Sequence, residues 1–96
     1  MHQTFPGTRS VIYNGKKTIS ANGTQEIIAA AQSVTQITIR ALAGNTNPVF
    51  IGDADVSATT GLALAAGETV TFPVGNLADV WVDVTTNGEG VTFLAS

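Results

Sequence analysis

Cysteine is absent from the chain, and histidine occurs once, at position 2. Without thiols, no disulfide or thiolate-bound metal reinforces the fold, and no catalytic triad finds an internal histidine. Charge is scarce as well: 11% of residues are Asp, Glu, Lys or Arg, with a net charge of −3. Nucleic-acid binding needs a positive footprint, and Arg9, Lys16, Lys17 and Arg40 are too few and too scattered to supply one. The adjacent lysines read as a solvated hairpin tip. Long apolar runs are also lacking. The longest, residues 26–34, is interrupted by Gln32 and Ser33 and is far too short to cross a bilayer. The first ten residues carry neither the basic head nor the apolar stretch of a secretion signal. The expectation is a protein made in the cytoplasm that partners neither membrane nor nucleic acid.

What remains is a sequence rich in Thr, Ala, Gly, Asn and Val, 44% hydrophobic over 96 residues. A chain of that length forms one domain and buries roughly two-thirds of its unfolded surface, enough for one modest core. Any large additional stability must come from partners or identical subunits. A surface short of charge and rich in Thr, Asn, Ala and Gly loses little on desolvation, which suits extended contacts.

Strand signals dominate the pattern. Short runs of Val, Ile, Thr and aromatics alternate with Gly and Asn, and Asn-Gly occurs at 14–15, 22–23 and 87–88. This dipeptide accepts positive φ, as a tight hairpin turn requires. A first hairpin is therefore expected from residues 9–13 and 16–21 around Asn14-Gly15. Asn22-Gly23 would lead into a third strand at 24–30. Within it the Ala-rich stretch 26–31 is too short for a stable helix and reads as strand, or as one helical turn.

Further on, Ile37, Ile39 and Ala41 share one face of a strand at 33–42, opposite Gln36, Thr38 and Arg40. Val34 has the wrong parity and marks a bulge or an edge. Val49 and Ile51 point inward, with Phe50 opposite. Residues 53–61 form a polar crossover with a short strand near Val56. Leu62 and Leu64 then share a side, and Gly67 sits at a turn position needing positive φ. Val70, Phe72 and Val74 alternate with Thr69 and Thr71, and Pro73 assigns that strand to an edge. Val80, Val82 and Val84 form the cleanest inward stripe, opposite Trp81 and Asp83, the latter facing solvent or a neighbour. After a turn at 86–89, Val91, Phe93 and Ala95 alternate with Thr92 and Leu94.

The fold class that follows is all-β: a single-domain antiparallel β-sandwich or small barrel of about eight strands, residues 9–96, preceded by an N-terminal arm, residues 1–8. The arm carries Phe5 and no periodicity, and arms of this kind order on binding.

Catalytic chemistry has little to work with. Asp53-Ala54-Asp55 is the remaining carboxylate pair, but it lacks the ligand number of a calcium loop and reads as turn-forming acids. Asp79, Trp81 and Asp83 on one strand face would make a small shelf for glycans. No catalytic residue, metal or cofactor is assigned, and the chain is not expected to be an enzyme. Phe50, Trp81 and Leu94 are more informative, since each stands opposite its own strand's inward stripe. A two-layer sandwich buries one face of each sheet, so these groups are expected outside the core. Together with Phe5 they form the expected interface, unless the N-terminal hairpin or the Ala-rich stretch covers them.

From residue 41 onward the chain resembles small proteins encoded among the structural genes of tailed bacteriophages. The pattern is Ala41-Leu42-Ala43-Gly44-Asn45-Thr46, then Pro48-Val49-Phe50-Ile51-Gly52. It continues through Val56-Ser57, Gly61, Leu64, Gly67-Glu68 and residues 77–82, and closes with Gly90-Val91-Thr92-Phe93-Leu94. A little over half the chain is covered, by turn and core positions that mark a fold more than a function. The resemblance implies a β-sandwich virion component, such as a head decoration (cement) protein. Such a protein sits outside the capsid, often as a trimer, and clamps subunits of the major capsid protein. The alternatives are another virion part (a head-fibre base, head–tail joining or tail accessory protein) and a glycan-binding module.

Overall fold

Ile37, Ile39 and Ala41 are all fully enclosed, as side chains two apart on one strand face must be if that face meets the core. The computed structural model describes residues 11–96. The expected arm at 1–8, with Phe5, lies outside the described residues. Eight strands follow in chain order: β1 (Tyr13–Thr18), β2 (Glu26–Ile27), β3 (Gln36–Ala41), β4 (Val49–Gly52), β5 (Leu62–Leu64), β6 (Thr69–Pro73), β7 (Trp81–Val84) and β8 (Gly90–Ala95). They form two four-stranded sheets, a front sheet ordered β1-β8-β3-β6 and a back sheet ordered β2-β7-β4-β5. Every pairing is antiparallel. The expected all-β sandwich is therefore what the chain forms.

The core lies between the sheets. Ile37, Ile39, Val91, Phe93 and Ala95 face it from the front, and Val49, Ile51, Val82 and Val84 from the back. β-branched side chains predominate because they fit a pleated surface with little loss of rotamer freedom. Each fully buried Val or Ile contributes about 1.5–3 kcal/mol. Three of the four sheet edges are short or blunted. β2 has two residues and β5 three, while Pro73 closes β6, an edge strand as its proline implied.

The expected first hairpin does not form. Asn14-Gly15 lies inside β1, which pairs along its whole length with β8. Gly15 stands opposite Phe93, and a Cβ there would come within 2.9 Å of the Phe93 ring. The aromatic covers the glycine, and a six-residue ladder outweighs the local turn preference. Lys16 and Lys17 accordingly sit in a strand, not at a hairpin tip. Lys17 points inward and bonds Glu26 Oε1 at 2.8 Å, bridging the two edge strands β1 and β2.

Asn22-Gly23 and Asn87-Gly88 do turn, with glycine φ values of 78° and 86°. The two turns are tied together, for Asn87 Oδ1 accepts from the Asn22 N–H at 2.8 Å and from Asn22 Nδ2 at 2.7 Å. The strand expected over 24–30 shrinks to β2. Its Ala-rich continuation bends away, anchored by buried Ile28, whose N–H donates to the Val80 carbonyl at 2.8 Å. Val34 precedes β3, so its parity is no longer at odds with the strand. No strand forms at Val56. A short 3-10 turn at Leu77–Asp79 was not foreseen; Asn76 starts it, Oδ1 accepting from the Ala78 N–H at 2.9 Å and the Gln32 N–H at 3.1 Å.

β8 and β1 approach so closely at Gly90 that a Cβ would sit 1.9 Å from the Lys17 carbonyl oxygen. Gly90→Ala is expected to destabilise the protein by at least about 2 kcal/mol. Gly75→Ala, where a Cβ meets open space, should stay within about 1 kcal/mol of the parent. Urea unfolding of both variants checks this, and coincident midpoints would contradict the packing.

Candidate interaction surface

The outward side chains of the front sheet form a nearly continuous exposed face. Strand register aligns Asn14, Leu94, Thr38 and Thr71 in one row, and Lys16, Thr92, Arg40 and Thr69 in the next. Leu94 lies near the middle with 52% of its surface exposed, as its parity predicted. Thr38 and Thr71 join across strands through their hydroxyls at 2.8 Å. No acidic residue occupies an outward position of these four strands. Lys16 and Arg40 form no ion pair among the described residues, where the single salt bridge is Lys17–Glu26. The face is thus a neutral, threonine-rich surface with a central leucine and two free cations.

The back sheet differs, because its outer side is covered by its own chain. Phe50 was expected to emerge there for a partner, but it is only 9% exposed. The crossover 53–61 folds back over it. Val56 is buried, and a Cβ on Gly61 would lie 2.7 Å from Phe50 Cβ and 2.6 Å from a Val56 methyl. Gly52 meets the same methyl at 2.8 Å. Two glycines thus admit Val56 and create a small second core around Phe50. Among the described residues, the Ala-rich stretch does not supply this cover. Trp81 is half-buried on the same side. Asp83, expected at solvent or a neighbour, is 4% exposed. A glycan shelf of Asp79, Trp81 and Asp83 therefore loses one of its acids to the interior.

Asp53, Glu68 and Glu89 have structural partners. Asp53 Oδ1 accepts from the Asp55 N–H at 2.9 Å, the turn-forming role read for that pair. Glu68 Oε1 accepts from the Ala65 N–H at 2.7 Å across the Gly67 turn. Glu89 is buried and clasps the loop between β3 and β4. Its carboxylate takes the Thr46 N–H, the Thr46 hydroxyl at 2.8 Å and the Asn47 N–H at 3.3 Å. No group of three metal-ligating side chains occurs among the described residues. The front face could not be assembled from the sequence alone. The outward parity of Thr38, Arg40, Thr92 and Leu94 was readable, but the placement of β1 beside β8, which adds Lys16 and Asn14, was not.

No protein-family model matches the chain, and neither a curated protein nor a solved structure matches it.

The Thr46 N–H holds the Glu89 carboxyl below the ordinary carboxylate value; burial opposes this, while the Thr46 hydroxyl and the Asn47 N–H add to the lowering. A carboxyl lowered in the folded state stabilises the fold above its unfolded value and loses that contribution as pH falls through the folded one. Stability should therefore decline as pH falls through and below the ordinary carboxylate range. Glu89→Gln should flatten part of that decline, as measured by thermal unfolding across pH. An unchanged profile in the variant would remove Glu89 from the account.

Proposed function

We propose that this protein is a non-enzymatic structural component that docks onto a larger protein assembly through the outer face of its front sheet. The assembly is the head of a tailed bacteriophage, and the role is that of a decoration protein on the major capsid protein. The observation that carries the docking reading is the front face itself. An exposed leucine sits among threonines beside two unpaired cations and no acid, a combination that is inexpensive to desolvate and complementary to an acidic surface. The sequence resemblance over residues 41–94 supports the choice of assembly. A component that binds the finished lattice and not the free subunits stabilises the lattice by mass action. Repetition over many equivalent positions turns modest single contacts into firm attachment. Self-association, as a trimer, belongs to the same reading.

Two measurements test it. Mass determination in solution should give an oligomer, and the protein should co-sediment with mature capsid shells but not with free capsid subunits. Leu94→Glu should weaken shell binding at least about tenfold, about 1.4 kcal/mol, while leaving the melting temperature nearly unchanged, and added salt should weaken the parent's binding. A strict monomer that ignores shells would overturn the proposal. Retention in purified particles away from the capsid surface would move the protein to another part of the virion.

A further inference from the structure

Asp83 is a buried carboxylate that the docking face does not use. It projects from the outer side of β7, beside Phe50 on the neighbouring strand. One oxygen accepts from the N–H of the next residue, Val84, at 2.8 Å, and the other has no partner among the described residues. The cations among the described residues lie elsewhere: Lys17 is paired with Glu26, and Lys16 and Arg40 are on the outward face of the other sheet. A carboxylate 4% exposed with one neutral donor leaves its other oxygen without a partner, and a cationic donor supplies one.

Asp83 lines a cleft of about 290 Å³ together with Asn22, Ser57, Thr59 and Thr85. The hydroxyls are turned toward one another, with Ser57 Oγ 3.0 Å from Thr59 Oγ1 and 3.1 Å from Thr60 Oγ1. They leave Asp83 unsatisfied, yet each oxygen keeps acceptor capacity. A ligand for this cleft carries positive charge and several N–H donors. A guanidinium's rigid planar fork pairs best with a carboxylate whose two oxygens are both open, and one here already accepts from Val84. A divalent cation needs a larger oxygen set than one carboxylate and a few hydroxyls provide. A sugar ring would find no aromatic side chain in the lining. A primary ammonium, with three rotatable donors on a slender chain, meets every requirement.

We propose that the Asp83 cleft binds a primary ammonium group, of the kind carried by a lysine side chain or a free alkylamine, with Asp83 as its counter-ion. The site is on the sheet opposite the docking face and stands whether or not that face docks.

The test is an NMR titration of the full chain with n-butylammonium chloride, against sodium chloride at matched ionic strength. Saturable shifts should appear at the Val84, Ser57 and Thr85 amides, and n-butylguanidinium should bind more weakly. Asp83→Asn should weaken ammonium binding at least about tenfold. Should that variant fail to fold, Thr85→Lys provides a second arm. It places a tethered ammonium at the cleft rim, and should raise the melting temperature above that of Thr85→Met and block the added amine. An Nα-acetyl-lysine amide that binds more tightly than butylammonium identifies a lysine side chain as the source, and equal affinity identifies any alkylamine. The proposal is overturned if these amides stay still, if sodium chloride moves them equally, or if Thr85→Lys behaves as Thr85→Met.

Discussion

The front sheet depends on β8. That strand lies between β1 and β3 and gives each its only long ladder toward the centre of the sheet. Two close approaches fix it there: the Phe93 ring over Gly15, and Gly90 against the backbone of Lys17 and Thr18. Side-chain volume at Gly90 would force the strands apart, and at Gly15 it would displace the Phe93 ring. The pairing joins residues 13–18 to residues 90–95, so most of the chain must be in place before the sheet closes. Such distant pairing makes folding slow relative to helical proteins of similar size, because loop closure precedes the contacts that reward it.

The two outer faces of the sandwich solve one problem in opposite ways. Each sheet has a second side that the central core does not cover. On the back sheet the chain covers it, folding residues 53–61 over Phe50 and enclosing Asp83 at the margin of that cover. On the front sheet the described residues leave it open and populate it with threonine, where a hydroxyl tolerates water and a methyl tolerates contact. Leu94 is the exception on that face, and it gives the docking reading its focus.

The sequence revealed the inward stripes well. Ile37-Ile39-Ala41, Val80-Val82-Val84 and Val91-Phe93-Ala95 all point where their alternation indicates, and the turns at Asn22-Gly23, Gly67 and Asn87-Gly88 form as their dipeptides predict. These features are local, set by pleat geometry and backbone sterics. The failures concern contacts between distant residues. Asn14-Gly15 looked like a turn because nothing nearby announces that Phe93 will lie over it. Phe50 and Asp83 looked exposed because parity reports which side of a strand a residue occupies, not whether a loop returns to cover that side. A fainter signal was available in Gly52 and Gly61, which flank a crossover holding a single valine and leave room for it. Leu94 was legible as a surface residue; the cationic character of its face required the strand order.

Among the described residues, Lys16 and Arg40 stand on one outer face, while Asp53, Asp55, Asp79 and Asp83 lie on or around the opposite sheet. An acidic partner would meet that cationic face first, because charge orients molecules as they approach. Orientation during diffusion raises the share of productive collisions. A protein with few charges thereby gains directional approach from where those charges stand, and dilution of the salt around it would sharpen the effect.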